Sequence, residues 1–138
     1  MRHGEAVFCD SGAWIALALS RDPLHQAAVQ QWELLQRSGA KLHTSIPLVI
    51  ETFTFLDRNA NRDVAMLWRE SIYRPGMIKI LPCELRDLEQ SWEYFRRADL
   101  HKLSAVDATS FAIMKRTRIR WAYTFDHHFA AAGFKLVA

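Results

Sequence analysis

The 138-residue sequence predicts an α/β fold, a central parallel sheet with helices on both faces. Three observations carry this. Five short apolar runs of strand character alternate with longer helical stretches, the pattern of parallel strands joined by right-handed crossovers. Half the residues are hydrophobic and five are tryptophan, enough for a core of ordinary size. No repeat, low-complexity tract or Pro/Gly-rich linker interrupts the chain, so residues 1–138 read as a single domain.

Residues 5–9 (EAVFC) are the first expected strand and run into an apolar helix over 11–20. A second helix spans 23–38, opened by Pro23 after Asp22 and closed by Gly39. KLHT, 41–44, is strand two. Ser45 then caps a helix that runs to about Arg58, with Pro47 in its first turn. A helix over 61–74 stops at Pro75-Gly76, and MIKIL, 77–81, is strand three. The 84–98 helix carries Leu85, Leu88, Trp92 and Phe95 on one face. Ser104 opens a helix to about Arg118. WAYTF (121–125) and FKLV (134–137) are strands four and five.

Composition narrows the function classes. A net charge of +3 permits a nucleic-acid partner without demanding one. No uninterrupted apolar run is long enough to span a bilayer, and MRHGEAVFCD does not read as a signal peptide, so a cytoplasmic protein without membrane association is expected. Cys9 and Cys83 match no zinc or redox spacing and read as reduced thiols. The histidines lack ligand spacing, and His128 is expected to pack or hydrogen-bond near the sheet rim rather than bind metal.

Four acids draw attention, each ending an apolar stretch: VFCD, LVIE, SAVD and YTFD. Asp10 follows strand one and Asp126 strand four, so both belong to the carboxyl edge, where open parallel sheets bind ligands. Glu51 stands in the first turns of its helix, and helical side chains lean back toward the N-terminus and the same rim. Asp107 opens a helix antiparallel to strand four, which places it beside Asp126. Each acid taken singly has a plainer reading. Asp10 could cap a helix, Ser104 and Asp107 resemble a capping box, Glu51 could be solvated, and Asp126 could serve a turn. Jointly they converge. Two carboxylates ~5 Å apart repel by ~3 kcal/mol at an effective dielectric of 20. A hard divalent cation such as Mg²⁺ or Mn²⁺ removes that cost and can activate water for displacement at phosphorus.

The acids at Asp10, Glu51, Asp107 and Asp126 come with D-S after strand one, S-x-x-D-A-T-S-F-A at 104–112 and T-F-D-x-H-F at 124–129. This pattern resembles PIN-domain ribonucleases, most nearly the VapC-type toxins of toxin–antitoxin pairs. The resemblance covers nearly the whole chain. It implies a three-layer α/β/α sandwich with strand order 3-2-1-4-5 and metal-dependent hydrolysis of single-stranded RNA. It further implies a catalytic and metal-binding quartet of Asp10, Glu51, Asp107 and Asp126, with Ser11 and Thr124 as hydroxyls near that centre. Asp10 and Asp107 are then the first expected ligands, and Glu51 the group that orients or deprotonates water. A cognate antitoxin and a homodimer are the implied partners, with apolar residues of the 23–38 and 46–74 helices available for contact. A PIN-like module that binds RNA or protein without cutting it is the alternative. Trp14, one turn beyond Asp10, is expected in the core rather than stacked on a base. The basic run 115–120 reads as a solvated helix end. Arg58, Arg62, Arg69, Arg96, Arg97 and Lys102 are the open set of phosphate contacts.

Overall fold

The computed structural model describes residues 1–137. Its elements are β1 (Ala6–Cys9), α1 (Ser11–Ala18), α2 (His25–Arg37), β2 (Lys41–Ser45), α3 (Ile46–Asn59), α4 (Arg62–Ile72), β3 (Ile78–Leu81), α5 (Leu85–Tyr94), α6 (Ala105–Thr117), β4 (Trp121–Tyr123), α7 (His128–Ala131) and β5 (Lys135–Leu136). The five strands form one sheet in the order β3-β2-β1-β4-β5, and every pairing is parallel. The expected α/β/α sandwich and strand order are borne out. Chain direction across the sheet reverses between β1 and β4, which makes their carboxyl ends the crevice of the fold.

Side-chain alternation along β1 supplies both cores. Val7 and Cys9 point to one face, where Trp14, Leu35, Leu56 and Trp68 pack. Phe8 points to the other, against Phe111, Met114 and Phe129. On the first face the Tyr123 hydroxyl donates to the Ala28 carbonyl at 2.5 Å and ties β4 to α2. On the second, Phe111 stands edge-on to Phe129 with ring centres 4.8 Å apart. Seven consecutive residues of α6, Ala108 to Met114, are buried, as befits a helix covered on nearly all sides. Trp14 is buried and edge-on to Trp68, so it belongs to the core as expected.

Several boundaries differ from the sequence reading, for local reasons. Pro23 lies in a turn before α2, because Asp22 accepts the Leu24 N–H at 2.8 Å and holds the chain out of the helix. Gly39, at φ +62°, ends α2 in a left-handed turn that lets the Ala40 N–H reach the Leu35 carbonyl at 3.1 Å. Strand four stops at Tyr123 rather than 125, because Thr124 turns its hydroxyl into the rim.

The largest departure concerns α5. Its apolar stripe faces water: Leu85 is 73% exposed, Leu88 37%, Trp92 45% and Phe95 45%. The face it buries carries Asp87, Ser91 and Tyr94. Arg116 of α6 explains this orientation. It donates two hydrogen bonds to Asp87, at 2.7 and 2.9 Å, and a third to the Pro82 carbonyl at 3.2 Å. The Glu84 N–H donates to the same Asp87 carboxylate at 2.8 Å. Part of the basic run thus serves, through the half-buried Arg116, as an anchor rather than a solvated helix end.

Burial alone would raise the Asp87 carboxyl, but Arg116 and the Glu84 N–H outweigh it and hold the group below the usual carboxylate range. The pair therefore stabilises fully above the unfolded value, near pH ~3.9, and its contribution is lost as pH falls through the lower folded value. Asp87→Asn should cost about 2–3 kcal/mol at pH 7, because it leaves Arg116 without its counter-charge. Urea melts of both proteins should converge as the pH drops below that window. A second prediction concerns Arg118, exposed and left-handed at φ +60° at the end of α6. Arg118→Gly should raise stability by roughly 0.5–1 kcal/mol, because glycine adopts that conformation without the Cβ clash.

Candidate active site

The site grows from the ends of β1 and β4. The Asp10 N–H donates to the Tyr123 carbonyl at 3.0 Å and extends the strand pairing by one residue. Asp10 stands at the N-cap of α1 with extended backbone, yet its side chain makes no capping bond. Its carboxylate turns instead toward Thr124, whose hydroxyl donates to Oδ2 at 2.9 Å. Asp10 is only 4% exposed, and its Oδ1 is buried without a hydrogen-bond partner.

Thr124 is also an acceptor, taking the Asp126 N–H at 3.0 Å. One hydroxyl thereby fixes two of the expected acids. Ser45 caps α3 by accepting the Leu48 N–H at 3.4 Å, and this aims the first turns of α3 along the rim. Glu51 then accepts the Ser11 hydroxyl at 2.6 Å. Ser104 accepts the Asp107 N–H at 3.0 Å, so half of the anticipated capping box is real. The Asp107 carboxylate meets Asp126 and His128: one ligand atom from each of the three lies within 4.8 Å of the others. Asp10 and Glu51 are not in this tight trio, although the Asp10 charge reaches both Asp107 and Asp126.

The electrostatics follow from that crowding. Burial raises the Asp10 carboxyl to about 6, against the lowering effect of the Thr124 hydroxyl, and the Asp126 and Glu51 charges push it the same way as burial. Burial, then the charges of Asp10 and Asp126, raise Asp107 as well. Asp126 goes the other way: burial is outweighed by the His128 N–H, which donates to its Oδ1 at 2.9 Å, and by the ring beside it. The chemistry of the donors suits a hard divalent cation, and the bare, buried Oδ1 of Asp10 is the atom such an ion would satisfy.

His128 makes the rim hydrogen bond expected of it, and it also stands beside two of the acids. Its Nε2 lies 2.7 Å from the His101 carbonyl and must carry the proton, since a carbonyl only accepts. Nδ1 is then left 2.9 Å from Asp126 Oδ1, close but not aligned as a hydrogen bond. Burial would lower the ring's pKa, yet the His101 carbonyl and Asp126 carboxylate outweigh it and raise the value. Protonated, the ring is a counter-charge for Asp126; deprotonated, it offers a ligand atom to the trio. The signal was present in T-F-D-x-H-F, but the adjacent His127 obscured it.

Other candidates are accounted for elsewhere. Arg62 is held by Asp57 at 2.5 Å, and Arg97 by Asp99 at 2.6 Å. Arg69 lies over the Tyr73 ring. Arg58 lines an open groove with Glu51, Phe55 and Val106.

Fold and site together define a nuclease of the acid-rimmed α/β class, and comparison with known proteins agrees. The PIN domain model matches residues 7–135, and the chain belongs to the PIN-domain family. Within it the likeness is to VapC-type ribonucleases. The chain is 34% identical over 128 residues to the 23S rRNA-specific endonuclease VapC20 of Mycobacterium tuberculosis, covering 93% of this chain and 95% of that one. The crystal structure of VapC20, described as a sarcin-ricin loop cleaving toxin, superposes with a TM-score of 0.82 at 33% identity over 93% and 95% of the two chains. VapBC2 from Rickettsia felis bound to a promoter DNA fragment (TM-score 0.70, 9% identity, 95% and 96% covered) shares the fold. So does FitAcB from Neisseria gonorrhoeae (0.67, 16% identity, 96% and 96% covered). No helix among the described residues is long and apolar enough to cross a membrane.

Because the folded Asp107 carboxyl titrates above its unfolded value, its ionised form opposes folding at pH 8. In metal-free buffer at that pH, Asp107→Asn should melt about 2 °C or more above the unsubstituted protein. Mg²⁺ or Mn²⁺ should raise the melting temperature of the unsubstituted protein and that of Asp107→Asn much less. Equal metal-induced shifts in the two proteins would remove Asp107 from the cation site.

Proposed function

We propose that residues 1–138 act as one nuclease domain, a Mg²⁺- or Mn²⁺-dependent endoribonuclease that cuts single-stranded RNA and serves as the toxin of a toxin–antitoxin pair. The observation that carries this reading is the buried, unpartnered Oδ1 of Asp10 among three further acids at the switch point of the sheet.

Asp10, Asp107 and Asp126 would hold the cation, with His128 orienting Asp126. A divalent ion bound there supplies a Lewis acid for the phosphoryl oxygen and lowers the pKa of water. Glu51, held by the Ser11 hydroxyl, is placed to orient the attacking water and accept its proton. Thr124 keeps Asp10 and Asp126 in register. Arg58, in the groove beside Glu51, is the basic residue best placed to contact an RNA phosphate. The partners that fit are an RNA, a cognate antitoxin protein and a second copy of the chain. The free thiols of Cys9 and Cys83 suit a cytoplasmic setting. The target named for VapC20, 23S rRNA, is the first RNA to test, alongside isolated stem-loops.

Incubated with such a panel, the protein should cleave in Mg²⁺ or Mn²⁺ and fail in EDTA. Asp10→Asn and Asp107→Asn should each lose about 10²-fold or more of the cleavage rate, ~2.7 kcal/mol of barrier, with circular dichroism unchanged. Glu51→Gln should lower the rate while leaving metal-induced stabilisation in place. Undiminished cleavage by both aspartate variants would refute the assignment.

A further inference from the structure

One face of α3 borders an open groove that runs away from the acids. Glu51, Thr54, Phe55 and Arg58 follow the i, i+3, i+4, i+7 spacing of a single helical stripe. All four line the groove, together with Ile50 and with Val106 of α6. Its volume is about 600 Å³, in the range of small-ligand sites. Two features tie it to the cation site. Glu51 is itself one of the acids, and Val106 immediately precedes Asp107. A strand that leaves the cation site along α3 enters this groove.

The chemistry changes along the stripe. Glu51 marks the reacting end. Phe55 lies one turn further, about 6 Å along the helix axis, and is 39% exposed. Ile50 beside it is 63% exposed. The residues that α3 gives to the two cores are Leu48, Val49, Phe53 and Leu56, so Ile50 and Phe55 are left for the groove. Arg58 stands about 10 Å beyond Glu51 along the axis. The neighbouring carboxylate, Asp57, is already taken by Arg62, and Arg58 has no ion-pair partner among the described residues. Acid, aromatic face and cation thus follow one another in the order of a nucleotide step: reacting phosphate, base, next phosphate. The walls offer area rather than hydrogen bonds. Ile50, Phe55 and Val106 carry no polar side-chain atom, and the Asn59 side chain donates to the Phe55 carbonyl at 3.0 Å. A base held here is read by its face and not by its edge, and a purine presents the larger face.

We infer that Phe55 is the base-stacking residue of the site: it holds the nucleotide next to the scissile phosphate, with Arg58 on the following phosphate, and it selects a purine there. The inference rests on the nuclease reading for its substrate, single-stranded RNA, and adds the residue that grips the base and the class of base it takes.

The test reads binding apart from cleavage. In full-length Asp10→Asn protein with Mg²⁺, fluorescence anisotropy should show labelled oligo(A) decamers binding about 10-fold more tightly than oligo(U), and a stable abasic decamer binding most weakly. Adding Phe55→Ala should weaken oligo(A) about 10-fold and leave the abasic decamer unchanged, whereas Phe55→Trp should keep the purine preference. Arg58→Ala should weaken all three decamers alike and lower the salt slope by about 0.7. In the otherwise unsubstituted chain, Phe55→Ala should raise KM for RNA about 10-fold at unchanged kcat and unchanged circular dichroism, because the contact is made equally before and during the reaction. Oligo(A) affinity unaffected by Phe55→Ala, an equal loss on the abasic decamer, or equal affinity for oligo(A) and oligo(U) each overturns the stacking assignment. So does an absence of binding by every decamer. Metal-dependent cleavage that persists beside any of these results leaves the nuclease reading intact. Absence of cleavage by the unsubstituted chain, with the purine and Phe55 effects present, overturns that reading and leaves the base slot standing.

Discussion

The crowding of carboxylates at the switch point is the constraint on which the molecule depends. With β1 and β4 adjacent and parallel, their carboxyl ends cannot avoid each other, so Asp10 and the Thr124–Asp126 turn share one crevice. Each close pair of ionised acids opposes folding by ~3 kcal/mol at ~5 Å. The fold meets this with rigid support on both sides. Val7 and Cys9 anchor β1 in one core, Phe8 in the other, and α6 delivers Asp107 from a helix whose next seven residues are buried. Asp10, 4% exposed, cannot swing into solvent without dislodging packed neighbours. Thr124 adds a finer control: its single proton goes to Asp10, and a lone pair takes the Asp126 N–H.

The same economy of polar groups governs the far side of α6. Arg116 meets a carboxylate that is 2% exposed, and the rest of that carboxylate's capacity goes to the Glu84 N–H. Because Asp87 must face α6, the helical period forces Leu85, Leu88, Trp92 and Phe95 onto the outer side. Exposure of that stripe follows from burial of the ion pair. An exposed apolar stripe is thus a geometric consequence of how the helix is anchored.

Much of this was legible in the sequence, for identifiable reasons. Strand direction alone places Asp10 and Asp126 on one rim, and the helical lean brings Glu51 to the Ser11 hydroxyl. The Ser45-Ile46-Pro47 start of α3 and the Ser104 cap of α6 were readable because capping chemistry is local. What escaped depends on tertiary choice. Periodicity says that Leu85, Leu88, Trp92 and Phe95 share a face, but not which way the face turns; a partner 29 residues away, Arg116, decides that. His128 hydrogen-bonds at the rim as the sequence suggests, but its tautomer is set by the His101 carbonyl on a different loop, which the sequence does not reveal. The ends of α1 and α4 at Ala18 and Ile72, two residues short of the expected bounds, have no strong local signal in the chain.

Asp10 shows why the site reads as a place for a cation rather than as a helix end. An aspartate at this position ordinarily caps its helix, worth about 1 kcal/mol. Here the backbone adopts the capping geometry and the side chain declines the bond. Its Oδ1 is instead buried without a partner, a desolvation cost of about 1–3 kcal/mol. The two together amount to roughly 2–4 kcal/mol set against the fold, a sizeable part of the 5–15 kcal/mol that ordinarily separates folded from unfolded domains. Neither a cap nor a core residue would be built this way. A positive charge beside Oδ1 would offset the second term, because it satisfies the bare oxygen, and it would also convert the repulsion with Asp107 and Asp126 into shared attraction. Cation binding and folding stability are therefore coupled through one oxygen atom, because an ion that satisfies Oδ1 in the folded state alone stabilises that state.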